Sequence, residues 1–145
     1  VPPRTARVLL DDRLLIEELL ASLRVRGERH TTSYWWYRAC RAAVAGAGGH
    51  LGGPFLGLDR GHQAAAIRSL LSLPEAIRLP DPRATVPIMA ELSERHPRLN
   101  VLNLEAAGAA LALRATVLLS AEAARGVLPA VLDAEKVSWR TVEIG

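Results

Sequence analysis

Two short apolar runs, Arg7-Val-Leu-Leu-Asp11 and Ala115-Thr-Val-Leu-Leu119, constrain this chain more than anything else in it. Each reads as a short buried strand, and each runs straight into a helical pattern. Asp12 to Leu23 places Leu15, Ile16, Leu19, Leu20 and Leu23 at helical spacing after the first run. A helical stretch through Ala134, which Pro129 divides in two, follows the second. Between them, Thr31-Thr32-Ser33 supplies cap chemistry for a helix through about Val44. Asp59 caps a third helix, whose Ala64, Ile67, Leu70 and Leu71 share a face. Thr85 to Arg95 makes a fourth that ends before Pro97, and Asn103 caps a fifth over Leu104 to Leu113. Leu73 to Pro82, interrupted by Pro74, Pro80 and Pro82, holds at best an edge strand near Ala76 to Arg78. Val137 to Ile144 alternates as a closing strand. Strands separated by helices predict an α/β fold, a three-layer α/β/α sandwich around a central parallel sheet.

A length of 145 residues suits a single domain over 1–145, with a core that needs no staples. The single cysteine, Cys40, excludes an internal disulfide, and a reducing, cytoplasmic setting is expected. Glu105 and Arg114 interrupt the most apolar stretch, so no membrane association is expected. Val1-Pro-Pro-Arg lacks the apolar core of a signal peptide. The net charge is +3 and Lys136 is the one lysine, so the basic groups are almost all guanidiniums, which suit phosphate. An arginine- and alanine-rich chain is also what a GC-rich genome encodes by default.

In parallel α/β sheets functional groups gather where strands end and helices begin. That rule selects Asp11-Asp12, the turn at Asn103, and Ser120-Ala-Glu122. In this order and spacing, three segments resemble the PIN-domain family of metal-dependent nucleases. Val8-Leu-Leu-Asp11-Asp-Arg-Leu-Leu-Ile is similar to the opening strand whose aspartate heads the first helix. Leu99 to Leu119 is similar to the late helix, turn and strand, and Leu128 to Val142 to the closing helix and strand. The resemblance extends over nearly the whole chain and is closest to a stand-alone, toxin-type PIN domain.

The family gathers three or four carboxylates around Mg²⁺ or Mn²⁺, which activates water and stabilises the phosphoryl transition state. By this resemblance Asp11 is the first acid, a catalytic and metal-ligand candidate. The second acid's place holds Tyr37-Arg38, the third holds neutral Asn103, and the fourth falls near Ser120 or Ala121, with Glu122 close by. The metal set is therefore Asp11, Asn103 and Glu122, implying either no cofactor or weakly bound Mg²⁺ or Mn²⁺. Arg38 is expected to pair with Asp11 and fill the cation's place. Glu105 falls on the far face of its helix, and Glu17 and Glu18 are expected to be solvated.

Tyr34-Trp35-Trp36-Tyr37 concentrates four of the six aromatic residues. With Arg38 and Arg41 beside them, Trp35 and Trp36 suit a stacking platform for unpaired bases. Anchoring the core or a dimer interface is the plainer role for the same rings. Arg24, Arg26 and Arg29 read as a basic turn, Cys40 as inert core, and Gly46 to Pro54 as a loop. The four histidines show no zinc spacing. The expectation is a degenerate PIN-like domain that binds single-stranded RNA or a cognate protein partner. Two alternatives stand beside it: an active Mg²⁺- or Mn²⁺-dependent endoribonuclease of toxin–antitoxin type, and a homodimeric interaction subunit.

Overall fold

The computed structural model describes residues 6–143 apart from 22, 24 and 46–59. Five strands form one sheet, β1 (Arg7–Leu10), β2 (Glu28–His30), β3 (Ile77–Arg78), β4 (Thr116–Leu119) and β5 (Trp139–Thr141). Their order is β3-β2-β1-β4-β5 and every pairing is parallel. Among the described residues six helices surround it: α1 (Asp12–Ala21), α2 (Ser33–Ala45), α3 (Arg60–Leu71), α4 (Pro82–Arg95), α5 (Val101–Leu113) and α6 (Leu128–Ala134). This is the expected three-layer α/β/α sandwich.

Side-chain alternation along β1 and β4 divides the core into layers. Leu9 pairs in register with Val117, and both pack with Leu119 under α4, α5 and α6. Val8, Leu10 and Leu118 point the other way and meet Leu14 of α1. Successive residues of a strand face opposite sides, so these two four-residue strands serve both layers. A third cluster joins Leu15 and Ile16 of α1 to Ala39 and Ala43 of α2 and Leu70 of α3. The alanines of α5 let it lie close against α4. A Cβ on Gly108 would stand 3.0 Å from Met89 Cγ.

β2 departs from the sequence expectation, which placed a basic turn around Arg24, Arg26 and Arg29. Glu28-Arg29-His30 has no apolar residue, yet it pairs with β1 on one side and β3 on the other. Its charges are matched instead of solvated. Arg29 Nη1 pairs with Glu18 Oε1, and His30 Nε2 lies 2.8 Å from Glu28 Oε1. Glu18, expected in solvent, is therefore buried against the sheet. Glu17 bonds Arg13 one helical turn away at 3.1 Å. Arg24 lies outside the described residues.

The helix ends also shift. Asn100, not Asn103, caps α5, its side chain accepting from the Asn103 N–H at 2.9 Å. Asp81 caps α4 in the same way, so that helix opens at Pro82 rather than Thr85. The stretch after β4 breaks as expected, into a 3-10 turn at Ala123–Arg125 and then α6, with Pro129 in its first turn. The closing strand is shorter than Val137 to Ile144, and Ile144, Asp59 and Gly46 to Pro54 lie outside the described residues. Glu135, just past α6, accepts from Arg95 Nη2 at 2.8 Å and Nε at 3.1 Å, and meets His96 Nε2 at 2.8 Å. These partners hold its carboxyl at about 2 and tie α4 to α6. Among the described residues no helix is long and apolar enough to cross a membrane.

The strand order reverses between β1 and β4. Chain leaving β1 goes towards β2, whereas chain leaving β4 goes towards β5, so the two carboxyl ends part and leave a crevice.

Candidate functional site

At the carboxyl end of β1, beside that crevice, stands Asp11, fully buried. It is the N-cap of α1: its backbone carbonyl accepts from Leu15 N at 2.9 Å and its Oδ1 from Leu14 N at 2.8 Å. Its Oδ2 accepts from Ser120 N at 2.8 Å and Ser120 Oγ at 2.7 Å. One carboxylate thus ties the end of β1, the start of α1 and the end of β4. Burial raises its pKa to about 6, against the opposing pull of the Leu14 and Ser120 donors.

Asp12 turns the other way, into a cleft of about 230 Å³. Trp35, Arg38, Asn103 and Glu122 line the same cleft, with Leu102 and Leu128 on its apolar side. Asp12 Oδ1 accepts from Arg13 N at 2.8 Å, and Asp12 Oδ2 lies 2.9 Å from Arg38 Nε. Arg38 therefore does sit among the cleft's acids as expected, but its partner is Asp12 and not Asp11. The junction geometry explains the exchange. Asp11 still has strand direction and points towards β4, whereas Asp12 is the first residue of the helix and faces the cleft.

Of the three residues the sequence put forward for a metal, Asn103 and Glu122 come together in the cleft, and Asp11 stands outside its lining. Asp12, which the sequence selected only beside Asp11 and left out of the metal set, is the acid that faces them. One signal pointed to this: an aspartate three residues before a helical leucine is a natural N-cap, and a cap's lone pairs are already committed. Among the described residues no three His, Cys, Asp or Glu side chains are arranged to hold a metal ion.

Glu105 has a role that sequence position did not suggest. It reaches from α5 to the N-terminus of α2, where Oε1 accepts from Tyr34 N at 2.8 Å and Oε2 from Ser33 N at 3.3 Å. Thr32 Oγ1 accepts from Trp35 N at 3.0 Å. The two acceptors satisfy the first N–H groups of α2, and the carboxylate also suits the positive end of the helix dipole. Arg38 is thereby held over the cleft.

The four aromatic rings separate by face. Trp35 is buried beneath the cleft, and Trp36 packs inward with its Nε1 donating to Leu70 O at 2.7 Å. Tyr34 and Tyr37 are the exposed pair, and Arg41 is exposed beside them. Cys40 is half-buried, its Sγ 3.7 Å from Leu70 O, and burial pushes its thiol pKa up.

No family model and no curated protein matches this chain. Among solved structures, a chain of VapBC-1 from nontypeable Haemophilus influenzae is similar over 93% of this chain and 97% of its own length. The two share 14% identity, with a TM-score of 0.52. At that identity the likeness speaks for the fold alone. Together with the all-parallel sheet and the crevice at its strand-order reversal, it shows that this chain has a PIN-like fold.

Proposed function

We propose that this PIN-like domain binds single-stranded RNA and does not cut it. The ion pair between Arg38 and Asp12 carries this reading. A PIN-like fold implies Mg²⁺ or Mn²⁺, and the donors present do not fit such an ion. Hard divalent cations require several anionic oxygens. Asp11 has both oxygens committed to three donors, and Asp12 is already neutralised by a guanidinium. The other polar side chains lining the cleft are Glu122 and the neutral amide of Asn103. Without the ion, neither a metal-activated water nor the main stabiliser of the phosphoryl transition state is available.

The VapBC-1 likeness supports a second reading, in which a cognate protein partner is what the domain holds. Fluorescence anisotropy on a short, end-labelled, unstructured RNA, followed by electrophoresis of the same sample after incubation with millimolar MnCl₂, separates the outcomes. The expected result is saturable binding with an intact strand. Absence of binding would leave the protein partner as the better reading. Mn²⁺-dependent cleavage that disappears in Asp12→Asn would replace both with a metal-dependent ribonuclease of toxin–antitoxin type.

A further inference from the structure

We infer that the outward face of α2, not the cleft beside it, is the surface on which single-stranded RNA stacks, with Tyr34 and Tyr37 as the base platform and Arg41 as the phosphate contact. This rests on the RNA-binding reading above and assigns that binding to residues outside the cleft. At 100° per residue, Trp35, Trp36, Ala39 and Ala43 fall on the inward half of the helix, and these are the buried or part-buried positions. Tyr34, Tyr37, Arg41 and Val44 fall on the outward half, one above the other at intervals of three, four and three residues. Tyr34 is 43% exposed and Tyr37 58%.

Charge separates this face from its neighbour. The cleft carries two carboxylates, Asp12 and Glu122, beside Arg38, and carboxylates repel phosphate. The sequence of α2 contains two arginines and no acid. Glu105, which reaches α2 from α5, is turned into the helix N-terminus by its bonds to Ser33 and Tyr34 N–H. Two exposed rings about 4.5 Å apart along the axis, with a guanidinium on the next turn, match bases that stack while their phosphates pair.

The same charges weigh against a second copy as occupant. Two α2 helices laid face to face would bring their two Arg41 guanidiniums together with no carboxylate on either helix. A partner's apolar helix face is also poorly served, because beyond the rings only Val44 and Ala45 extend the apolar surface.

The test uses the full chain and a labelled single-stranded oligouridine. Tyr34→Ala with Tyr37→Ala is expected to weaken binding by at least about thirtyfold, stacking being worth ~1–3 kcal/mol per base. Tyr34→Phe with Tyr37→Phe should bind almost as the wild type does, because the ring planes remain. Arg41→Gln should weaken binding and flatten its salt dependence. Unchanged melting of the exposed-site variants checks that the fold is intact. If the wild type binds and the double alanine variant binds equally well, the platform is refuted while the RNA reading survives. If the wild type binds no RNA, both fall. If it binds an acidic helical peptide in preference, α2 is a protein-docking face and the inference is overturned.

Discussion

Arg38→Glu is expected to give the cleft an affinity for Mn²⁺ at least about tenfold above that of the wild type, a gain of ~1.4 kcal/mol or more. In the wild type Arg38 neutralises Asp12 at 2.9 Å, leaving one net negative charge from Asp12, Glu122 and Arg38 together. The substitution removes a cation and adds an anion at the same wall, raising the net negative charge to three. Ligand charge count is a main determinant of affinity for hard divalent ions. Asn103→Asp added to it should increase the effect further, since that residue lines the same cleft. Without metal, the variant should be slightly less stable, because like charges then face one another. Titration calorimetry with MnCl₂ on wild type and variant decides the matter. Equal, negligible heats in both would mean that Arg38 is not what keeps the ion out.

The second large effect concerns Asp11, and its size depends on pH. Replacing it by alanine strands Leu14 N–H, Ser120 N–H and the Ser120 hydroxyl in a buried place. Each stranded donor costs about 1–3 kcal/mol, so Asp11→Ala should destabilise by several kcal/mol in a fold whose whole stability is of order 5–15. Burial raises the Asp11 pKa from 3.8 to about 6, so the folded state takes up a proton more readily than the unfolded chain does. The wild-type side chain therefore contributes most below the unfolded value, and part of that contribution is lost as pH rises through about 6. The cost of Asp11→Ala should accordingly be larger at pH 4 than at pH 7, by about 2 kcal/mol. Urea unfolding of both proteins at the two pH values measures it. A cost that is the same at both, or greater at pH 7, would show that burial does not control this carboxyl. The acid loss from Glu135, between 4.5 and about 2, reaches pH 4 but is common to both proteins and cancels in the difference.

The strands that could be read from sequence were those whose residues are apolar. Val8-Leu-Leu10 and Val117-Leu-Leu119 are buried on both faces, and burial of that kind leaves a compositional mark. Glu28-Arg29-His30 leaves none. It is a strand between two others because Glu18 and the neighbouring side chains neutralise it, and those partners are adjacent only after folding. Hydrophobic periodicity cannot detect a strand whose burial is compensated by ion pairs.

The site was legible in outline and not in detail for a related reason. Strand ends followed by helices located the right edge of the sheet, and Asn103, Glu122 and Arg38 do meet there. Which of two adjacent aspartates faces the cleft depends on where strand geometry gives way to helix geometry. A one-residue shift in that boundary exchanges a carboxylate turned towards β4 for one turned into the cleft. Likewise, four successive aromatics identify an amphipathic helix that must expose some rings, but only the packing of α2 against α1 and α3 decides that the tyrosines are outside.

The central claim is that a guanidinium occupies the carboxylate cluster's cation position, so that this PIN-like cleft does not hold a catalytic divalent ion. Electron paramagnetic resonance of Mn²⁺ mixed with the wild-type protein at millimolar concentration addresses it directly, since bound Mn²⁺ loses the sharp signal of the aquo ion. The account predicts that the free-ion signal persists undiminished. Loss of that signal in the wild type, with recovery in Asp12→Asn, would contradict it.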